Sequence, residues 1–298
     1  MEVDKILKAG KIGAEAKKYA KTIIKKNVPL LEIAEKVESK IVELGGKPGF
    51  PTNLSIDKIA AHYTPTYDDK TIAQGLLKVD IGVHVDGWIA DTAFSLDLED
   101  NEENKKLIQA SKDAVDNAIK NIEQGITTGD IGKIIETTIN SYGFSPIINL
   151  SGHEIDHFDV HAGLTIPNRD DGSDQKLEEG LYAIEPFATT GGGRVKDGPP
   201  SNIYMLVNEK SVRSPIAREV LAYVMEEYLT LPFASRWLVK KFGTKALLGL
   251  RQLEENGNIH SFGQLIESTG AKVSQAENTI LIHKGKVTVT TVEDYYPK

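Results

Sequence analysis

Apolar residues recur at two different spacings in the first third of the chain. From Val3 to about Lys26, and again from Pro29 to Leu44, they return every three or four positions, which predicts two amphipathic helices. Gly45 and Gly46 then supply a helix end, because glycine adopts the left-handed conformation that commonly closes a helix. We therefore expect a pair of helices at the start of the fold.

Alternating apolar and polar residues follow, in two runs on either side of Asp86-Gly87. This dipeptide suits a two-residue type I′ turn, so the sequence LLKVDIGVHVDGWIADTAFSL predicts a β-hairpin. Because side chains alternate along a strand, Asp80 and Asp91 share one face as diagonal neighbours about 7 Å apart at the backbone. The other face of the hairpin is apolar.

The same order of elements then returns. Helical spacing runs from Glu102 to Ile122 and from Asp130, as the helix N-cap, to Tyr142. We expect strands at residues 147–150, 180–187, 203–207, 277–283 and 286–291, and helices at 217–227, 233–242 and 245–255. The order of two helices followed by strands thus occurs twice, which predicts an α+β fold. We expect a catalytic domain formed by residues 1–207 and 271–298, with a helical insertion subdomain at 208–270.

Composition excludes several kinds of chemistry. The 298 residues are 40% hydrophobic and carry a formal net charge of −8, so an acidic globular protein is expected, with neither nucleic acid nor a membrane as partner. The absence of cysteine excludes disulfides, thiolate metal sites and a cysteine nucleophile. Because the amino terminus is charged and no long apolar run occurs, we expect a cytoplasmic protein, and a monomer since no apolar stripe demands a partner.

The two aspartates of the predicted hairpin allow two interpretations. Two carboxylates on one face repel each other, so either they are solvated acids on an open sheet or a cation lies between them. His84 falls on the same face and is a candidate supporting group rather than a ligand. Three further metal-ligating side chains occur in strand or strand-end positions: His153, Glu185 and Glu277. Their presence favours a metal site.

Six sequence blocks, in order and over nearly the whole chain, resemble methionine aminopeptidases. They are AAHYTP (60–65), VDIGVHVDGWIADTAF (79–94), NLSGHEI (149–155), VHAGLTIP (160–167), YAIEPF (182–187) and QAENT (275–279). The resemblance implies the pita-bread fold, with pseudo-twofold helix-helix-strand halves, and a hydrolase that removes the initiator methionine of nascent proteins when the second residue is small. The segment 208–270 resembles the helical insertion of the type 2 subfamily, and the short amino terminus is similar to that of archaeal members.

The resemblance also implies two divalent metal ions and their five ligands. Asp80 would chelate one ion, His153 and Glu185 would bind the other, and Asp91 and Glu277 would bridge both. Carboxylates with one imidazole suit Co²⁺, Mn²⁺, Fe²⁺ or Zn²⁺ and do not select among them. A metal-held hydroxide would attack the scissile carbonyl, which two closely spaced ions can activate. Glu185 is in addition a candidate acceptor for the proton of the nucleophile.

Five other residues correspond to substrate-contacting positions of the family. The resemblance implies that His62 contacts the amide nitrogen of the scissile bond and that His161 stabilises the carbonyl oxygen as it gains charge, which is commonly a large catalytic contribution. Phe50, Val160 and Phe262 correspond to an apolar wall, and such a wall suits the thioether of methionine. The expected partners are peptides with an N-terminal methionine.

Two alternatives share the fold. Xaa-Pro aminopeptidases and prolidases have the same five-ligand pattern, although they usually carry a separate amino-terminal domain, for which the stretch before His62 is too short. The second alternative is a non-catalytic, ribosome-associated binding relative that has lost ligands, whereas competent groups occupy all five positions here. The ribosome is also a candidate partner of the enzyme, through residues 208–270, since nascent chains emerge there.

Overall fold

This computed structural model describes residues 1–292 of the chain. These residues contain seven helices and sixteen strands. The helices are α1 (Val3–Ile23), α2 (Leu30–Glu43), α3 (Glu102–Asn121), α4 (Thr128–Ser141), α5 (Pro215–Glu227), α6 (Ser235–Phe242) and α7 (Lys245–Glu255). The first eight strands are β1 (Lys47–Pro48), β2 (Asn53–Ile56), β3 (Ile59–Ala61), β4 (Leu76–Val85), β5 (Trp88–Asp97), β6 (Ser145–Pro146), β7 (Ser151–Ile155) and β8 (Thr165–Pro167). The others are β9 (Gly180–Ile184), β10 (Phe187–Thr189), β11 (Val195–Leu206), β12 (Phe233–Ala234), β13 (Ile259–Glu267), β14 (Val273–Gln275), β15 (Asn278–His283) and β16 (Lys286–Val289). None of the helices in this range is both long and apolar enough to cross a membrane.

The predicted hairpin is confirmed as strands β4 and β5, with Gly82 opposite Asp91. Its turn residues Asp86 and Gly87 have φ angles of 49° and 85°, as a type I′ turn requires. Apolar side chains of the hairpin pack against α1 and α2 in a buried core. The helical pair therefore covers one side of the hairpin and leaves the face with Asp80 and Asp91 for other contacts.

The second helical pair covers a second sheet. This sheet has five strands in the order β16-β15-β9-β7-β8, and α3 and α4 share a buried core with it. The expected repetition of helix, helix and strands is thus confirmed, together with the α+β architecture. Strands β7, β9 and β15 lie at its centre, where strands far apart in sequence become neighbours.

The start of α4 differs from the expectation that Asp130 caps it. Thr127 is the N-cap, and its hydroxyl oxygen accepts a hydrogen bond from the Asp130 backbone N–H at 3.1 Å. The same hydroxyl donates a hydrogen bond to the Asp130 carboxylate at 2.6 Å. Both residue types suit helix starts, and Asp130 lies in the first turn, where the helix dipole favours a carboxylate.

Several predicted strands differ from the structure: the one expected at 203–207 already begins at Val195, and the one expected at 286–291 ends at Val289. The strand expected at residues 180–187 is divided, because Pro186 has no N–H for the ladder, so β9 ends at Ile184 and β10 begins at Phe187. Residues 147–150 form a loop instead of a strand. There the Asn149 side chain donates to Val195 O and accepts from Val195 N, at 2.8 and 2.9 Å, and these bonds replace a ladder.

The segment 208–270 contains α5, α6 and α7, which enclose a core of their own. The last part of the segment is a strand and not a helix: β13 (Ile259–Glu267) pairs with β11 and β3. Backbone pairing on both sides favours a strand there over a further helix. The division of the chain into a catalytic domain and an inserted subdomain stays a prediction.

Candidate metal centre

Five strands and their ends bring the five predicted ligands together. Asp80 lies on β4, Asp91 on β5 and His153 on β7, while Glu185 directly follows β9 and Glu277 directly precedes β15. Because β9 pairs with both β7 and β15, their positions along the sheet are linked: His153 is opposite Ala183, and Asn278 is opposite Ile184. His153, Glu185 and Glu277 therefore reach the same level of the five-stranded sheet.

The hairpin joins this sheet through Asp91 and Thr279. The Asp91 N–H donates to the Thr279 hydroxyl at 2.8 Å, and that hydroxyl donates to Asp91 O at 2.7 Å. Both bonds are buried and connect residues 188 positions apart in the sequence. They hold the acidic face of the hairpin against the strand that follows Glu277.

Potential ligand atoms of Asp91, His153 and Glu277 all lie within 4.8 Å of one another, so these three side chains could hold a metal ion. The His153 Nε2 is 3.4 Å from Glu185 Oε1 and 3.8 Å from Asp91 Oδ2. The Asp80 carboxyl group lies close enough to Asp91 to raise the pKa of Asp91 by charge repulsion. The structure thus brings all five predicted side chains into one cluster.

Burial makes this cluster electrostatically unfavourable without a cation. Desolvation, followed by repulsion from neighbouring carboxylates, raises the pKa of Asp91, Glu185 and Glu277 well above the ordinary values. Desolvation also raises the pKa of Asp80 to about 6. His153 lies beside carboxylates, yet desolvation lowers its pKa to about 3, which keeps the imidazole neutral and its nitrogen lone pair available. A multivalent cation would compensate the acids.

Three buried carboxylate oxygens in the described residues have no hydrogen-bond partner: Asp80 Oδ1, Asp91 Oδ1 and Glu277 Oε1. Buried oxygens without partners are costly and rare in folded proteins. All three belong to the predicted ligands, and a metal ion would satisfy them. The donor set of carboxylates and one neutral imidazole therefore fits divalent metal ions.

A cavity of about 290 Å³ opens over the cluster. Nine of the ten predicted site residues line it: Phe50, His62, Asp80, Asp91, His153, Val160, His161, Glu185 and Phe262. The tenth, Glu277, is buried beside Asp91. Aromatic ring centroids are 4.5 Å apart for His153 and His161, and 5.7 Å apart for His62 and Phe262. The cavity thus has an acidic floor and a partly aromatic wall.

Sequence reasoning missed Gln275 as a member of the cluster. Its Nε2 donates to Glu277 Oε2 at 3.5 Å, and its amide group lowers the pKa of Asp80 and Glu185 against the larger, raising effect of burial. The available signal was its place in the block QAENT, two residues before Glu277. His84, the candidate supporting group, does not line the cavity; its Nδ1 accepts from Gly87 N at 3.1 Å and stabilises the hairpin turn.

Comparisons with known proteins agree with this geometry. Residues 4–214 match the model of Metallopeptidase family M24. A methionine aminopeptidase from Pyrococcus horikoshii is 47% identical over 98% of this chain and 100% of its own length. Among solved structures, a thermophilic Arx1 superimposes with a TM-score of 0.83 at 16% identity, over 100% of this chain and 93% of that one. A methionine aminopeptidase from Thermotoga maritima gives a TM-score of 0.71 at 22% identity, over 98% and 97%.

The match to the family model covers four of the five strand contexts that supply the cluster, and the alignment with the Pyrococcus horikoshii relative covers 98% of the chain. Curated relatives between 39% and 48% identical carry the name methionine aminopeptidase. This chain is therefore a hydrolase with the pita-bread fold, and it belongs to metallopeptidase family M24.

Proposed function

We propose that this protein is an aminopeptidase that removes the N-terminal methionine from new polypeptides whose second residue is small, using two divalent metal ions. The observation that carries the proposal is the buried cluster of four carboxyl groups and one neutral imidazole beneath a cavity with an apolar wall. The names and high coverage of the relatives support the same activity.

Asp80 would hold one ion, His153 and Glu185 would hold the other, and Asp91 and Glu277 would contribute to both. Divalent ions held there would lower the pKa of a water molecule and polarise a carbonyl group, as peptide hydrolysis requires. The Glu185 side chain is 15% exposed, against 5% for Asp91, so it is the better placed of these two carboxylates to accept a proton from the cavity.

Two histidines at the cavity are proposed to act on the substrate itself. Desolvation lowers the pKa of His62 to about 4, so its ring is neutral near pH 7 and can donate or accept one hydrogen bond at the scissile amide. His161 lies beside His153 and would stabilise charge on the carbonyl oxygen. Phe50, Val160 and Phe262 would hold the methionine side chain.

We assign the chain to the type 2 subfamily and residues 208–270 to its inserted subdomain. The helices α5 to α7 with their separate core support this assignment. A cytoplasmic location and a contact of this segment with the ribosome follow from a substrate that is a nascent chain. Co-sedimentation with ribosomes at low salt tests this contact. If the protein does not co-sediment, the proposed ribosome contact is wrong.

The decisive experiment compares three peptides with protein reconstituted in Mn²⁺ or Co²⁺. Methionine should be released from Met-Ala-Ser, while Met-Leu-Ser and Ala-Pro peptides should be cleaved hardly at all. A preference for the Xaa-Pro bond would instead identify a prolidase-like enzyme. No release from any peptide by the metal-loaded protein would favour a binding function.

A further inference from the structure

A buried arginine connects the segment 208–270 to the loop that carries His62. Arg236 on α6 is only 3% exposed. Its Nη1 donates to Thr64 Oγ1 at 2.6 Å and to Pro65 O at 3.1 Å. Thr64 comes two positions after His62, so Arg236 is hydrogen-bonded to the chain close to the histidine.

The charge of Arg236 is compensated by Glu38 on α2. Arg236 Nη2 donates to Glu38 Oε1, and this carboxylate also accepts from Thr52 N at 3.1 Å and from Trp237 Nε1 at 2.8 Å. Because the glutamate is itself buried, the pair is fixed by several hydrogen bonds and has little freedom to rearrange. The Thr64 hydroxyl closes the network by donating to Thr52 O at 2.8 Å.

The backbone at His62 requires such support. Its φ angle is 65°, in the left-handed region that residues other than glycine seldom occupy. Conformations of this kind persist where surrounding contacts impose them, and they cluster at functional sites. Phe262, which lies in the same segment as Arg236, packs its ring edge-on against the imidazole of His62.

We propose that Arg236 and Glu38 are positioning residues for His62, and that the segment 208–270 thereby sets the geometry of the substrate site. Arg236 acts through Thr64 and Pro65, and Glu38 holds the guanidinium in place. The proposal rests on the proposed function to the extent that His62 contacts the substrate. It gives the inserted segment a part in the reaction although Arg236 is absent from the cavity lining.

The test uses Thr64→Val, which keeps the side-chain shape and removes the hydroxyl while the Arg236–Glu38 pair stays intact. We expect kcat for Met-Ala-Ser to fall by about tenfold or more, because small misplacements of catalytic groups are costly, with KM within about twofold and metal content unchanged. Thr64→Ser restores the hydroxyl and should recover wild-type kcat. Wild-type kcat in Thr64→Val, or an equal loss in Thr64→Ser, would overturn the proposal.

A double-mutant cycle tests whether Arg236 acts through Thr64. Arg236→Lys keeps a positive charge beside Glu38 and removes the planar fork. If both residues act through one contact, the double variant should lose little more kcat than the worse single variant; fully additive losses would contradict the link. The matched control is Lys47→Gln, which removes an exposed ion pair, 2.8 Å to Glu227, between β1 and the same segment, and should leave kcat unchanged.

An NMR measurement separates positioning from general stability. The imidazole signals of His62, assigned with His62→Gln, should shift in metal-loaded Thr64→Val and remain at the wild-type position in Thr64→Ser. A merely structural role would lower the melting temperature and leave these signals unmoved, which would refute positioning. This readout needs no turnover, so an absence of peptidase activity in the wild type would defeat the proposed function and still leave positioning tested.

Discussion

Ala93 and Glu277 exchange two backbone hydrogen bonds: the Glu277 N–H donates to Ala93 O at 3.0 Å, and the Ala93 N–H donates to Glu277 O at 3.4 Å. The pairing joins the hairpin to the chain that enters β15. Main-chain bonds, rather than flexible side chains, therefore place Glu277 beside Asp91, as a bridging pair of carboxylates would require.

Replacing Glu277 with alanine should remove metal. The variant loses one of the three groups that converge within 4.8 Å, while Asp91 stays buried. Since even outer partners of metal ligands change affinity by 10- to 100-fold, we expect metal binding to weaken by about 100-fold or more. Metal content by mass spectrometry after dialysis measures this, with the exposed Glu103→Ala as control. Full metal content and activity in Glu277→Ala would disprove the bridging role.

His62→Ala should keep its metal and lose activity, unlike Glu277→Ala. The histidine lines the cavity and is not part of the metal cluster, so metal content should match the wild type. Loss of one hydrogen-bonding group in the transition state should lower kcat by about 10²–10³-fold. Parallel measurements of metal content and kcat test both statements. Metal loss in this variant would place His62 among the ligands and contradict our assignment.

Metal removal should make stability depend on pH through Asp80. Its pKa is about 6 in the fold, against an ordinary value of 3.8. A group with a raised folded pKa stabilises the fold fully below its unfolded pKa, and this contribution is lost as the pH rises through the folded pKa. Asp80→Asn removes that loss. In chelator, the free energy of unfolding of the variant should exceed that of the wild type by on the order of 2 kcal/mol at about pH 7, relative to their difference at about pH 4.

Urea unfolding at several pH values, with and without Mn²⁺, provides the measurement. With metal present the wild type should be more stable than Asp80→Asn near neutral pH. The reason is that the wild type should bind the ions more tightly, and ligand binding stabilises the native state. Parallel stability curves for the two chelated proteins would show that Asp80 does not titrate as described.

Gly82→Ala should disturb the proposed methionine pocket. An added Cβ at this position would lie 2.3 Å from Cδ1 of Phe50, so the ring must move. We expect a destabilisation of about 1–3 kcal/mol from overpacking, and a higher KM for methionine peptides. Gly13→Ala in α1 is the control, since its Cβ would meet neighbours at no less than 3.7 Å and alanine favours helices. Unchanged KM in Gly82→Ala would indicate that Phe50 does not contact the methionine.

The sequence was sufficient for the local part of the site. Asp80 and Asp91 lie on adjacent strands joined by a two-residue turn, so alternation alone predicts their shared face, and the register agrees. The positions of the other three proposed ligands depend on the pairing of β7, β9 and β15, which no local pattern specifies. His153, Glu185 and Glu277 were therefore named through the family resemblance.

Buried charges were beyond the reach of sequence periodicity. An amphipathic pattern assigns lysine and arginine to the solvent side of a helix, yet Lys17 of α1 is 7% exposed and donates to Thr92 Oγ1 at 2.8 Å. Arg236 of α6 is buried for a similar reason: its partners come from distant segments. Only the three-dimensional contacts show that these polar positions belong to the interior.

The hydrogen bond between Asp91 and Thr279 joins residues 188 positions apart. The hairpin can therefore form this contact, and the acidic cluster can assemble, only after β15 has been made. During synthesis the amino-terminal half emerges first, with Asp80 and Asp91 made long before Glu277 leaves the ribosome. A chain made only as far as the hairpin consequently lacks three of the five proposed ligands. If the proposed function holds, a molecule can remove methionine from other chains only after its own Glu277 has been made and placed beside Asp91.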